Sequence, residues 1–140
     1  MAVLDGHALH FHKRGADGSA KCDVVPREGS RVYGVVFRVH PNDLARLDAA
    51  EQGYDRVTLH VSDGTTDVAV FTYRARPDRI VPGLKPYGWY RDLVVLGARH
   101  HGLPAGYVAA IEAVTARDDP DAARAAAMDG LLARLRAGAS

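Results

Sequence analysis

In the first half of the chain, apolar residues recur at every second position. Leu9 and Phe11 alternate with His10 and His12, and Ala20, Cys22 and Val24 alternate after a turn-like run at residues 15–19. Tyr33, Val35, Phe37 and Val39 fall on one face of a further segment. Val57, Leu59 and Val61 follow, then Val68, Val70, Phe71 and Tyr73, with Asp63-Gly64 between them as a hairpin signal. A period of two sends successive side chains to opposite faces, as a half-buried strand requires. The pattern predicts five strands in a mostly antiparallel sheet, with a turn at residues 26–30 and the segment 33–39 at its centre.

The period then lengthens. A short helix interrupts the strands: Pro41 suits a first helical position, Asp43 its first turn, and Leu44, Leu47 and Ala50 or Glu51 follow at helical spacing until Gly53. After a loop rich in Pro, Gly and Arg at residues 76–86, the C-terminal third is helical. Tyr90, Leu93, Val94 and Gly97 share one face, Gly102 and Pro104 divide two helices, and Tyr107, Val108, Ile111 and Val114 continue the pattern. The last, Ala-rich helix at 119–137 has a thin apolar stripe. It is read as mobile or as lying against a partner. The fold class is α+β, an antiparallel sheet flanked by helices, in one domain spanning 1–140.

Composition narrows the function. Eighteen basic residues against 17 acidic ones give a net charge of +1, which argues against a nucleic-acid face. The apolar run at 93–98 is far too short to cross a bilayer, and no signal peptide opens the chain, so a soluble cytoplasmic domain without membrane partners is expected. The basic residues are mostly Arg, which with the Ala-rich tail hints at a GC-rich bacterial source. A single cysteine, Cys22, excludes an internal disulfide and reads as core. His10 and His12 have a metal-holding spacing but no evident third ligand, and read as solvent-facing strand residues. His100-His101 suits a helix C-terminus. Residues 15–21 lack the Gly-Lys-Ser/Thr ending of a phosphate loop.

Two segments stand out. Glu51 ends the short helix, where the dipole disfavours a carboxylate and, with burial, favours its protonated form. A residue that breaks a local rule is a candidate for function. The other segment places Tyr87, Trp89 and Tyr90 at a helix start. Tyr90 shares the inward face, so its hydroxyl needs a buried partner, for which a glutamate is suitable.

Taken in order, Phe11-His12-Lys13-Arg14, Asp17-Gly18-Ser19-Ala20-Lys21, Val32-Tyr33-Gly34-Val35-Val36-Phe37, Leu47-Asp48 through Glu51 to Gly53-Tyr54, Trp89-Tyr90, and Gly97-Ala98 through His101-Gly102-Leu103-Pro104 strongly resemble the gamma-glutamylcyclotransferase family. The likeness runs from about residue 3 to about residue 114. It implies a barrel-like, mostly antiparallel sheet flanked by helices. It also implies release of 5-oxoproline from a gamma-glutamyl amino acid or amine, with no metal or cofactor; a relative acting on another gamma-glutamyl compound, such as glutathione, is a further reading. The family's catalytic glutamate falls on Glu51, although Gln52 here precedes Gly53, and its substrate-contacting tyrosine falls on Tyr90. Family members open with a strand ending in a Tyr-Gly-Ser-Asn loop whose amides hold the gamma-glutamyl group, and that sequence does not occur here. A gaping sheet edge is therefore expected, with uncovered apolar residues and pairing of that edge with another copy as a homo-oligomer. The alternative is a non-catalytic relative serving as a binding or structural module.

Overall fold

Two long hairpins build the sheet of the computed structural model, which describes residues 1–138; the last two residues of the expected 1–140 domain lie outside the described residues. Strand β1 (Ala2–Arg14) pairs with β2 (Ala20–Gly34), and β3 (Tyr54–Ser62) pairs with β4 (Asp67–Ala75). The order is β2-β1-β3-β4 and every neighbouring pair is antiparallel. The β3–β4 turn forms where Asp63-Gly64 predicts it: Asp63 Oδ1 accepts the N–H groups of Thr65 and Thr66, fixing the reversal locally.

Two expectations are corrected. The second and third strands are one strand, β2. Residues 27–30 bulge out opposite Gly6, but the chain on either side pairs with the same partner, from Arg31 opposite Asp5 to Pro26 opposite His7. The turn residues therefore interrupt the ladder without reversing it. The segment 33–39 is also not central: β2 ends at Gly34 and lies at the margin of the sheet order. Beyond it Val36 and Phe37 are 51% and 69% exposed.

The sheet curls because side chains join β2 to the far hairpin. Asp23 of β2 is 2% exposed. Its Oδ1 accepts the N–H of Ala75 at the end of β4 (2.8 Å) and that of Val24 (2.9 Å), and its Oδ2 accepts His12 Nε2 (2.7 Å). Tyr54, the first residue of β3, donates to the Cys22 carbonyl (2.7 Å). The resulting barrel-like closure uses side chains where a fully closed barrel would use a strand ladder. Elsewhere the backbones of β1 and β3 pair only at Val3 and Ser62. Between the hairpins lies an open, largely apolar groove of about 720 Å³, lined by residues that include Leu4, Val24, Val32, Leu59, Val70 and Phe37.

Four helices complete the fold: α1 (Leu44–Ala50), α2 (Gly88–His100), α3 (Ala105–Glu112) and α4 (Ala122–Gly138). A 3-10 turn at Pro41–Asp43 leads into α1, as the proline suggests. Val95 and Ala98 of α2 pack with Val108 and Ile111 of α3, and Leu9 and Phe11 of β1 rest against them. On α3 the buried residues are among those the spacing predicts, but on α2 they are Val95 and Ala98 while Gly97 is exposed, so the inward face of α2 is turned from the expected one toward α3. Despite its thin stripe, α4 buries Leu132. At its start Arg124 grips Asp119 through Nε and Nη2 (both 2.6 Å), and Asp119 also accepts Trp89 Nε1 (2.9 Å).

Asp23→Ala would leave buried donors on both hairpins without an acceptor. A loss of about 3–5 kcal/mol in unfolding free energy is expected from urea denaturation. A loss under about 1 kcal/mol would show that the closure does not depend on this carboxylate.

Candidate active site

Helix α1 stops at Glu51, its C-cap, whose N–H reaches the carbonyls of Leu47 (3.2 Å) and Asp48 (3.2 Å). Gly53 then turns the chain into β3 with φ of 80°, a conformation that side-chain-bearing residues rarely adopt. A Cβ at Gly53 would also lie 2.9 Å from Lys13 Cε. The side chain of Glu51 is half-buried, and its carboxylate makes no hydrogen bond or ion pair with the described residues. A carboxylate left with free lone pairs, on a turn whose backbone is fixed, can accept and return a proton.

Lys13 fixes that turn. It is 6% exposed, its Nζ donates to the Gln52 carbonyl (2.6 Å), and it stands over the Tyr54 ring, 4.4 Å from the centroid. Burial and then Arg79 hold its ammonium below the usual lysine range, while Glu51 acts in the opposite sense. Lys21, directly opposite Lys13 in the hairpin, points to the same region. It pairs with Asp17 (2.9 Å) and sits 4.4 Å from the Tyr90 ring centroid.

Tyr90 lies in the first turn of α2, and its hydroxyl is buried as its helical face predicts. The partner it finds is the Cys22 N–H (3.1 Å); no hydrogen bond joins it to Glu51 among the described residues. Tyr54 takes the carbonyl of the same residue, so two tyrosine hydroxyls occupy both backbone groups of Cys22. Glu51 and Tyr90 are thus linked only indirectly, through Tyr54, three residues beyond Glu51. Burial pushes both phenols well above their ordinary range, so each stays protonated.

The other aromatic residues at the start of α2 are structural. The Tyr87 hydroxyl donates to the Asp17 carbonyl (3.0 Å) and ties α2 to the β1–β2 loop. His12, read as solvent-facing, is largely buried against Asp23 because a register shift between Phe11 and Lys13 interrupts the ladder at this residue. The signal for Asp23 was available: an aspartate between Cys22 and Val24 opposes strand preference. Lys13 and Tyr54 gave no local signal, since their roles depend on contacts between distant segments. No group of three or more His, Cys, Asp or Glu side chains that could hold a metal occurs among the described residues, and no helix among them is long and apolar enough to cross a membrane.

The curled antiparallel sheet with helices against one hairpin is the gamma-glutamyl cyclotransferase-like fold. It is similar to a solved gamma-glutamyl cyclotransferase with a TM-score of 0.81 at 18% identity, over 95% of this chain and 82% of that one. It is also similar to an uncharacterized protein from Homo sapiens, with a TM-score of 0.79 at 18% identity over 94% and 82% of the two chains. YkqA from Bacillus subtilis gives a TM-score of 0.70 at 18% identity, over 83% of this chain and 45% of that one. At such identities the likeness is one of fold. No curated protein matches the sequence. The AIG2-like family matches residues 31–111, and the chain belongs to that family.

Cys22 offers a test of the packing around the tyrosines. Burial pushes its thiol up to about 11. The native thiol is therefore expected to resist alkylation at pH 8 and to react on unfolding. Because the folded value lies above the unfolded one, the thiol's contribution to stability is complete below about pH 8.5 and is lost as pH rises toward 11. Native-state alkylation as fast as that of a free thiol would contradict the packing.

Proposed function

We propose that this chain is a gamma-glutamylcyclotransferase: it closes a gamma-glutamyl amino acid or amine into 5-oxoproline and releases the amine. The observation that carries this reading is the Glu51 carboxylate, half-buried and without a hydrogen-bond partner among the described residues, on a turn held by Lys13 and Gly53. Membership of the AIG2-like family and the cyclotransferase-like fold support it.

The substrate supplies both reacting groups. Its α-amine nitrogen attacks its own γ-carbonyl carbon, forming the ring C–N bond, and the original amide C–N bond breaks. The attacking nitrogen must shed a proton and the leaving nitrogen must gain one, so the reaction is balanced without water or an oxidant. In this mechanism Glu51 takes the first proton and delivers the second, acting in turn as general base and general acid. Tyr90 stays protonated and helps shape the site, with Lys21 over its ring. Holding the substrate curled, with amine near carbonyl, supplies much of the remaining rate.

A second reading, a binding module without catalysis, is favoured by the open apolar groove between the hairpins. One assay separates the two: 5-oxoproline release from gamma-glutamyl-alanine and from a gamma-glutamyl amine. Glu51→Gln keeps the shape but removes the transferable proton, and it is expected to lower turnover by about 10²-fold or more. Tyr90→Phe is expected to cost roughly tenfold. A wild-type chain that releases no 5-oxoproline from either substrate would favour the binding module, and full activity in Glu51→Gln would remove Glu51 from the mechanism.

A further inference from the structure

We propose that Lys13 is the positioning residue for Glu51: its buried ammonium holds the turn that carries this carboxylate and keeps a positive charge facing it. Its kinetic consequence rests on the cyclotransferase reading; its electrostatic consequence does not.

A buried ammonium requires partners for its donors and its charge. Lys13 has three N–H donors and is 6% exposed, yet no carboxylate lies within salt-bridge distance of it among the described residues. Its hydrogen bond goes to the Gln52 carbonyl and its charge rests on the Tyr54 ring. Its stem fills the space that a side chain at Gly53 would need. Three consecutive residues after Glu51 are therefore fitted to this one side chain. Such packing would fix the Glu51 backbone whatever the charge at its tip, as a neutral isostere could.

The surrounding charges argue for more than packing. Arg79 and Lys21 oppose the ammonium from the loop after β4 and from β2, while Asp17, in the β1–β2 loop, and Glu51, at the end of α1, favour it. Asp17 is already engaged by Lys21 and Ser19. Glu51 is the acid in this set without a cation of its own, so Lys13 and Glu51 are each other's available counter-charge. Burial disfavours the Lys13 ammonium, and Glu51 is the charge left to offset it.

Lys13, Lys21 and Lys85 are the chain's three lysines, so each Cε is resolvable by carbon-13 NMR on lysine-labelled protein. Wild type and Glu51→Gln are titrated, with exposed Lys85 as internal reference. Removing the Glu51 charge is expected to lower the Lys13 midpoint by at least about half a pH unit. In parallel, Lys13→Met is expected to lower kcat for 5-oxoproline release by about tenfold or more per folded molecule, with KM changed less than about threefold. A purely structural lysine would leave the Lys13 midpoint the same in both proteins, and that result would overturn the proposal even if Lys13→Met failed to fold. So would a folded Lys13→Met with wild-type kcat. If wild type releases no 5-oxoproline while the midpoint still falls in Glu51→Gln, the cyclotransferase reading fails and the coupling of Lys13 to Glu51 stands.

Discussion

A buried carboxylate with its donors drawn from both hairpins determines how this sheet can close. Asp23 accepts from Ala75, Val24 and His12 at once. A carboxyl group out of water is tolerated only when such donors surround it. The donors come from β4, β2 and β1, so the requirement to satisfy one side chain joins three strands. Because β1 and β3 share a single residue pair, the backbone ladder alone would leave the hairpins hinged at Val3 and Ser62. The Asp23 cluster, with Tyr54 on the Cys22 carbonyl beside it, adds attachment away from that pair and so fixes the angle between the hairpins.

The candidate site depends on that closure. Cys22 adjoins Asp23, and its N–H and carbonyl are the backbone groups that Tyr90 and Tyr54 occupy. Tyr54 arrives from the second hairpin and Tyr90 from α2, so the tyrosines meet at Cys22 only if the β3–β4 hairpin is held against β2. Tyr54 in turn supplies the ring beneath Lys13, and Lys13 holds the carbonyl that follows Glu51. The chain of dependence runs from Asp23 through Cys22, Tyr54 and Lys13 to the Glu51 turn. Loosening its first member would shift a carboxylate that Asp23 does not touch.

Much of this was legible in the sequence where the signal is local. The helix over Leu44–Ala50 could be read from Pro41, Asp43, the leucine spacing and Gly53, and the β3–β4 turn from Asp63-Gly64. What failed was pairing. Residues 26–30 carry every mark of a reversal, and local composition cannot distinguish a turn between strands from a bulge inside one. Only the partner strand decides, and β1 continues past the bulge on both sides. His12 was misread for the same reason, because the ladder's register shift near this residue lies in the pairing and not in its neighbours. Glu51 was legible because it violates a local rule. Lys13 was not, because a lysine near a strand end is ordinary until a distant turn is laid across it.

This contrast bears on how a site can persist while the rest of a sheet is open. The apolar groove is open and lined by both hairpins together with the exposed Val36 and Phe37, whereas the tyrosine and lysine contacts tie the hairpins together. The two regions draw on different forces. The groove end would be stabilised by covering apolar surface, which is non-directional and tolerant of how the cover fits. The Asp23 end is held by short, directional bonds that tolerate little displacement. A carboxylate that must meet a proton within hydrogen-bond reach needs the second kind of support. Glu51 has it, because the turn that carries it is bonded to Lys13 and follows a helix whose last carbonyls its own N–H caps.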